Sequence, residues 1–234
     1  MEQPLESALN FDLKSDAALE ILRKIQAHND AIRMDGSTIP QIEQASVQIT
    51  SANGQDFIGS GFRNNGKVVI HGSIGDFGFC SFGDGECRVE GNVGNFFGHS
   101  ICSGIVIVRG HAKNSLGALG VGGLIAIYGN AADRVAIGAQ GTDIVIRGSV
   151  ASHAGLGMQN GTIIVGGSAG LHLGHSMVGG TIYIRGEAES ISPDIEEHRM
   201  REPDRLKIGM LMLKSGIKSA GKEFRVYRSV HAEA

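Results

Sequence analysis

The sequence predicts an all-β fold, a single-stranded right-handed parallel β-helix of about seven coils. The first observation behind this prediction is a glycine that recurs every 19 residues without slippage. A fixed period of this length is typical of a stacked solenoid, in which each repeat forms one coil. We call these residues the closing glycines: Gly72, Gly91, Gly110, Gly129, Gly148, Gly167 and Gly186.

The second observation is an alternation of apolar and polar residues before each closing glycine. Residues 19 positions apart lie above one another in such a solenoid, and we call each such set a column. The first apolar column is Ile70, Val89, Val108, Ile127, Ile146, Val165 and Ile184. The second is Val68, Cys87, Val106, Ile125, Ile144, Ile163 and Ile182. Polar residues such as Arg88 and Arg109 flank them, so the pattern predicts strands with one face in the core and one in solvent.

Small residues at fixed places in each repeat predict the corners between strands. Glycine recurs where the backbone takes a positive φ or where coils pass too closely for a Cβ. The residues before the strands are Gly66, Gly85, Gly104, Gly123, Thr142, Gly161 and Gly180. A second corner column is Gly98, Gly117, Ala136, Gly155 and Gly174. A polar column, expected to form hydrogen bonds from coil to coil, is Asp76, Asn95, Asn114, Asp133 and Ser152.

Residues 1–45 are predicted to form an N-terminal helical cap or arm, followed by the β-helix over residues 46–190. Residues 16–28 place Leu19, Leu22 and Ile25 on one side of an amphipathic helix. This helix is expected either to cover the open edge of the first coil or to dock on a partner. Residues 45–50 then predict a strand in an atypical coil that places Asn53 at the closing-glycine position.

Residues 191–234 are predicted to form a helix and a strand after the last coil. The helix, over residues 203–218, begins at a proline suited to a first turn. Its apolar stripe is Leu206, Met210, Leu213 and Ile217, widened by Ile208, Leu211 and Met212. Such a helix is expected to fold back along the solenoid or to enter a partner, and residues 223–227 suggest a closing strand.

Composition and charge exclude several classes of protein. The net charge of -3 and the pI near 6.3 lack the basic character of a nucleic-acid-binding protein. The sequence shows no secretory apolar segment and no apolar run of about 18 residues, so we expect a cytoplasmic protein without membrane contact.

Histidines form the only arrangement with metal-like spacing. His153 and His172 share a column on adjacent coils, and His175 follows three residues later. Stacked imidazoles about 5 Å apart can share a metal. No carboxylate or thiol joins them within the coil, and polar columns often carry surface histidines. We therefore expect no metal site, with these three residues as the candidates.

No residue pattern predicts a catalytic or cofactor-binding residue. The spacings of Cys80, Cys87 and Cys102 match neither a zinc knuckle nor a disulfide framework, which favours buried thiols. Arg109, Arg147 and Arg185 recur on every second coil. An ordinary solvated face is the preferred interpretation of this strip, with anion binding or docking as alternatives.

The coil with Gly161, Ile163, Val165, Gly167 and Gly170 resembles the GXGXG repeat that ends the large subunit of glutamate synthase. It is also similar to the β-helical subunit of formylmethanofuran dehydrogenase. The resemblance covers about residues 54–186. The sequence departs from it at Lys113, Ala132, Ala136, Thr142 and Ala151.

The tail resembles the free-standing glutamate-synthase-domain subunit of N-methylglutamate synthase, at residues 193–198 (PDIEEH), 206–209 (LKIG) and 224–228 (FRVYR). This resemblance implies a hetero-oligomer with a glutaminase-like subunit and a synthase subunit that carries FMN and an iron-sulfur cluster. The implied reaction converts methylamine and L-glutamate to N-methylglutamate and ammonia. The implied role of this chain is structural, with no cofactor of its own.

Two alternatives remain open. One is the role of the β-helical subunit in a formylmethanofuran dehydrogenase or formyltransferase-type complex. The other is an autonomous metal-dependent β-helix enzyme. Such enzymes usually have six-residue repeats with one inward aliphatic residue per face, whereas each strand here carries two.

Overall fold

A computed structural model describes residues 9–12, 46–218 and 224–231. Within these ranges eleven strands form one sheet in the order β1-β2-β3-β4-β5-β6-β7-β8-β9-β11-β10. The strands are β1 (Leu9–Asp12), β2 (Ser46–Gln55), β3 (Arg63–Ile74), β4 (Asp84–Val89), β5 (Ile105–Val108), β6 (Leu124–Ile127), β7 (Gln140–Ile146), β8 (Asn160–Val165), β9 (Thr181–Ile184), β10 (Ile195–His198) and β11 (Arg225–Ser229). One helix, α1 (Glu202–Ser215), lies between β10 and β11.

Consecutive strands from β1 to β9 pair in parallel, which confirms the predicted fold as a parallel β-solenoid of about seven turns. The 19-residue register holds from Val68 opposite Cys87 to Val165 opposite Ile184. A second ladder of single bridges runs along another face from Ile74 to Ala188. Residues one period apart therefore occupy equivalent environments.

The core lies inside the coils, and side chains from every face of the solenoid contribute to it. Both predicted apolar columns are buried, with Ile70, Val108 and Ile146 at most 1% exposed. The turn segments contribute large side chains from the opposite side, including Phe97 and Leu116, which are also fully buried. Packing of this kind from every side gives each coil a defined position above the previous one.

Glycine has different physical causes in the closing-glycine column and in the second corner column. At Gly110 and Gly129, an added Cβ would lie 2.5 and 2.7 Å from the carbonyl oxygen of the closing glycine one coil earlier. The closing glycines are therefore required by close approach of backbones. In the second column the backbone is left-handed, with φ of 66° at Gly98 and 65° at Gly117. Ala136 adopts the same conformation with φ of 58°, so its departure from glycine leaves the corner intact.

The polar turn column forms the predicted ladder between coils. The Asp76 carboxylate accepts the Asn95 backbone N–H at 2.7 Å, and Asn95 Oδ1 accepts the Asn114 N–H at 3.2 Å. Asn114 and Asp133 continue the ladder at 3.1 and 2.9 Å. Each side chain satisfies a backbone donor of the next coil.

We expect Asn95→Ala to lower the free energy of unfolding by about 1–2 kcal/mol, because two side-chain contacts of the ladder disappear. These are the acceptor for Asn114 and the amide donor to both Asp76 oxygens at 3.1 Å. Urea unfolding measures the loss. Arg147→Ala, which removes an exposed side chain, is the control with an expected change within about 0.5 kcal/mol. Equal losses in the two variants would contradict a stabilising ladder.

The N-terminal part differs from the prediction in its register. Val47 pairs with Val68 and Ile49 with Ile70, so the first complete coil is two residues longer than the others. Consequently Ala52 lies opposite Gly72, and the placement of Asn53 there was wrong by one residue. Strand β1, which pairs with β2, was not predicted. The predicted helix over residues 16–28 lies outside the described residues.

The C-terminal segment closes the last coil and folds back over the sheet. Strand β11 pairs antiparallel with β9 and with β10, so it covers the edge of the last parallel strand. The closing strand begins at Arg225, two residues after its predicted start, and β10 was not predicted. Pro203 lies in the first turn of α1, as expected, and Gly216 ends the helix with φ of 66°.

Helix α1 covers the outer face of the middle strands, which corrects the prediction that this face meets solvent. The outer column from Ala126 through Val145 and Ile164 to Tyr183 is at most 3% exposed. It packs in one cluster with the buried apolar side chains of α1. The residues that pack on the sheet are Ile208, Leu211, Met212 and Ile217. The other members of the predicted stripe, Leu206, Met210 and Leu213, face away from the sheet.

Candidate functional site

The candidate histidines lie together as predicted. The ring centroids of His153 and His172 are 5.0 Å apart, and those of His172 and His175 are 6.4 Å apart. Within the described residues, no group of three or more histidine, cysteine, aspartate or glutamate side chains has the arrangement of a metal site. His153 and His172 form a stack of two rings on neighbouring coils.

A carboxylate from beyond the repeats joins this histidine cluster, which the sequence analysis did not foresee. Asp194 lies 3.6 Å from His175 Nδ1 and 3.9 Å from His231 Nε2. Its Oδ2 also accepts the Ser192 hydroxyl and the Ser176 backbone N–H, both at 2.7 Å. These hydrogen bonds, the Ser192 one first, lower the pKa of Asp194. The cluster therefore ties the segment after β9 to the last coil.

Both histidines of the stacked pair belong to a column of non-glycine residues with left-handed backbone. Their φ angles lie between 55° and 63°. The members are Phe57, Phe77, Phe96, Ser115, Arg134, His153 and His172. This conformation is unfavourable for L-residues, but hydrogen bonds between coils hold it. The Phe77 N–H, for example, donates to the Asn95 carbonyl at 2.9 Å, and the His153 N–H donates to that of Leu171 at 2.8 Å.

The cysteines differ from the prediction of buried thiols. Only Cys87 is buried, and burial raises the pKa of its thiol well above the usual value, which disfavours the reactive thiolate. Cys80 is half-buried with its sulfur 3.9 Å from His99 Nδ1, while Cys102 is exposed. Both lie in turn segments, where the side chain does not have to enter the core.

Two of the three arginines in the strip make contacts within the chain. The guanidinium of Arg109 lies over the ring of Tyr128 at 4.1 Å, and that of Arg185 over Phe224 at 4.8 Å. Arg109 and Arg147 are exposed, as expected of a solvated face, but Arg185 is half-buried. The C-terminal segment is what covers Arg185.

A buried carboxylate fixes the first turn of α1 on the sheet. Asp204, only 4% exposed, accepts the Tyr183 hydroxyl and the Arg201 backbone N–H, each at 2.8 Å, and contacts the Arg228 guanidinium. Burial raises the pKa of Asp204, but the hydrogen bonds and Arg228 outweigh it and hold this pKa below 3.8. Burial, together with the adjacent carboxylate, raises the pKa of Tyr183. This network was not predicted, since its members are far apart in sequence.

A concave site on the described surface lies along α1. It is a groove of about 590 Å³ with an apolar lining that includes Met200, Met212 and Phe224. Gly209 and Gly216 are part of its lining, and its charged lining residues are Arg205 and Lys218. We call this feature the helix groove. Its volume lies in the range of ligand sites, but it holds no convergent carboxylates, histidines or cysteines. Such a groove can bind an apolar surface and does not supply acid-base chemistry.

Comparisons with known proteins agree with this fold. Residues 20–208 match the family model described as the GXGXG motif. No curated protein matches the sequence significantly. A chain of the formyltransferase/hydrolase complex (FhcABCD) from Methylorubrum extorquens, solved in complex with methylofuran, is similar in structure. The TM-score is 0.65 at 23% identity, over 84% of this chain and 72% of that chain, and identity this low shows the fold alone. Among the described residues, no helix has both the length and the apolar character needed to cross a bilayer.

Proposed function

Because the chain belongs to the GXGXG motif family, we propose that it is a non-catalytic structural subunit of a glutamate-synthase-like multi-subunit complex. The observation that carries this proposal is that the polar side chains described above stabilise the fold of the chain itself. The turn ladder, Asp204 and Asp194 all bind backbone or neighbouring side chains of the chain itself. The resulting solenoid is a rigid prism that can hold other chains in register.

The specific complex we propose is N-methylglutamate synthase, with FMN and the iron-sulfur cluster on a partner subunit. The resemblance of residues 193–198, 206–209 and 224–228 supports this choice. Those segments contain β10 and parts of α1 and β11, which are the described elements after the last coil. In this proposal the glutaminase-like and synthase subunits carry the active centres, and this chain sets their distance.

A second candidate is a structural subunit of a formyltransferase/hydrolase-type complex. The structural similarity to a chain of such a complex from Methylorubrum extorquens favours it. The two candidates differ in the partner chains and in the reaction, and they assign the same passive role to this chain.

Co-expression with the glutaminase-like and FMN and iron-sulfur subunits tests the proposal. We expect native mass spectrometry to detect one heteromeric assembly, and N-methylglutamate formation from methylamine and L-glutamate to require all three chains. Assembly with formyltransferase chains instead would favour the second candidate.

The isolated chain provides the opposing test. Turnover by this chain alone would contradict the structural role. So would stoichiometric zinc in the purified protein that disappears in His153→Ala or His172→Ala, since it would favour an autonomous metal-dependent enzyme.

A further inference from the structure

Helix α1 presents an apolar surface that no described residue covers. Leu206, Met210 and Leu213 are 66%, 47% and 83% exposed and lie on one side of the helix. The opposite side is held on the sheet by Asp204 and by Lys207, whose ammonium lies 3.0 Å from Asp143. The exposed side chains therefore have a fixed orientation, which is the arrangement of a preformed docking surface.

The helix groove continues this surface, and Gly209 keeps it open. Gly209 is in the middle of α1, where glycine is a poorer helix former than alanine. A Cβ added there would meet nothing within 4 Å, so no contact inside the described structure requires glycine. A side chain at this position would instead enter the groove, which Gly209 lines together with Leu213.

The charges around the groove favour an anionic partner. Residues 199–218 contain six cations and two acids, whereas the whole chain has a net charge of -3. Asp204 is buried and paired with Arg228, while the exposed Glu202 lies 4.0 Å from Arg205. Lys207 is paired with Asp143, so four of the six cations remain in excess on this stretch. The charged residues that line the groove, Arg205 and Lys218, are both cationic. Complementary charge would speed association and suppress cationic partners.

We propose that the helix groove and the side chains of Leu206, Met210 and Leu213 form a docking site for an acidic amphipathic segment of a partner protein. This inference rests on the proposed structural role and names the surface that would perform it. If a second copy of this chain docked here through the same surface, the cations of one copy would face the cations of the other. A bilayer fits a convex apolar face better than a glycine-lined concavity.

Binding of two labelled peptides to the full chain tests the docking site by fluorescence anisotropy. Both peptides are helical and carry leucines at the same positions, flanked by glutamates in one and by lysines in the other. We expect the glutamate-flanked peptide to bind about tenfold more tightly or better, because its charges complement the groove. Equal affinity for the two peptides, or no binding of either, would overturn the proposal.

Variants locate the site. Leu213→Asp and Gly209→Leu are each expected to weaken binding of the glutamate-flanked peptide by about tenfold or more. Leu119→Asp, a change at a leucine of 47% exposure that does not line the groove, should leave it unchanged. Gly209→Leu is the sharper variant, because leucine favours the helix while its side chain fills the groove. Binding by either groove variant at the wild-type level would refute the assignment.

Two further measurements distinguish the proposed partner segment from a lipid surface and from a second copy of this chain. The first uses vesicles of anionic phosphatidylglycerol. If the chain binds these vesicles but neither peptide, and if Leu213→Asp abolishes vesicle binding, the surface is assigned to lipid and the proposal is overturned. Concentration-dependent dimerisation in sedimentation that Leu213→Asp removes would assign it to a second copy. In the co-expressed complex, Leu213→Asp should release a partner chain. Normal assembly of this variant would refute the docking site alone, whereas absence of assembly in the wild type would refute the proposed function alone.

Discussion

Gly110→Val is expected to lower the free energy of unfolding by about 3 kcal/mol or more, because rigid backbone, together with the Asn92 side chain, occupies the space. An added Cβ would lie 2.5 Å from the carbonyl oxygen of Gly91 and 2.7 Å from its carbon. The Gly110 N–H also donates to that oxygen at 3.1 Å, so relief of the clash would break an inter-coil hydrogen bond. Guanidinium unfolding followed by circular dichroism measures the loss.

Gly209→Ala is the matched control for this change. It also adds a Cβ to a glycine outside the left-handed region, but this Cβ would meet nothing within 4 Å. We expect it to raise the free energy of unfolding by about 0.5–1 kcal/mol, because alanine is the better helix former. Unchanged stability of Gly110→Val would mean that neighbouring coils can move apart at the closing glycines, contrary to the packed column in the structure.

The repeats were predictable because one period brings equivalent residues into equivalent surroundings. Once the closing glycines give the register, the environment of Ile125 follows from that of Val106 and Ile144 on the neighbouring coils. The same reasoning predicted the Asn95 ladder and the stacking of His153 on His172. Each of these contacts joins residues one period apart, so a column alone is sufficient to predict it.

The face on which the C-terminal helix packs could not be predicted in the same way. Its apolar residues cover two sides, and periodicity does not decide whether Leu211 or Leu213 meets the sheet. The apolar outer column that includes Val145 and Ile164 was visible in the sequence. Arg88 in the same column, and the arginines beside it, favoured a solvated face instead. Helix α1 makes its main contacts with β6 and β7, and Ile105 and Ile107 of β5 are only partly buried at the margin of the same cluster, so the cover of this face decreases toward the N-terminal coils.

The left-handed backbone of several residues and the contacts made beyond the last repeat were not predicted, for other reasons. Phe77 and His153 adopt positive φ because hydrogen bonds between coils impose it, and their side chains give no sign of this conformation. Asp194 and Asp204 lie beyond the last repeat, where no column relates them to their partners. Contacts of this kind depend on tertiary structure, so a single sequence without repeats gives no register for them.

Asp204→Ala is expected to lower the free energy of unfolding by about 3–5 kcal/mol, since it leaves the charge of Arg228 without its buried partner. It also removes the acceptor of the Tyr183 hydroxyl and of the Arg201 N–H at the start of α1. Glu202→Ala is the control in the same turn. Glu202 is exposed and lies 4.0 Å from Arg205, so its loss should cost less than about 1 kcal/mol. Equal midpoints for the two variants in guanidinium would contradict the role of Asp204.

The same carboxylate gives the stability a defined dependence on pH. Because the folded state holds the pKa of Asp204 below 3.8, its contribution is fully present above that pH. The contribution is lost as the pH falls from 3.8 through the folded-state pKa, where protonation removes the charge that Arg228 binds. We therefore expect the difference in unfolding free energy between wild type and Asp204→Ala to be larger at neutral pH than at about pH 3. A difference that stays constant between the two conditions would mean that packing, and not the ionised carboxylate, holds the first turn of the helix on the sheet.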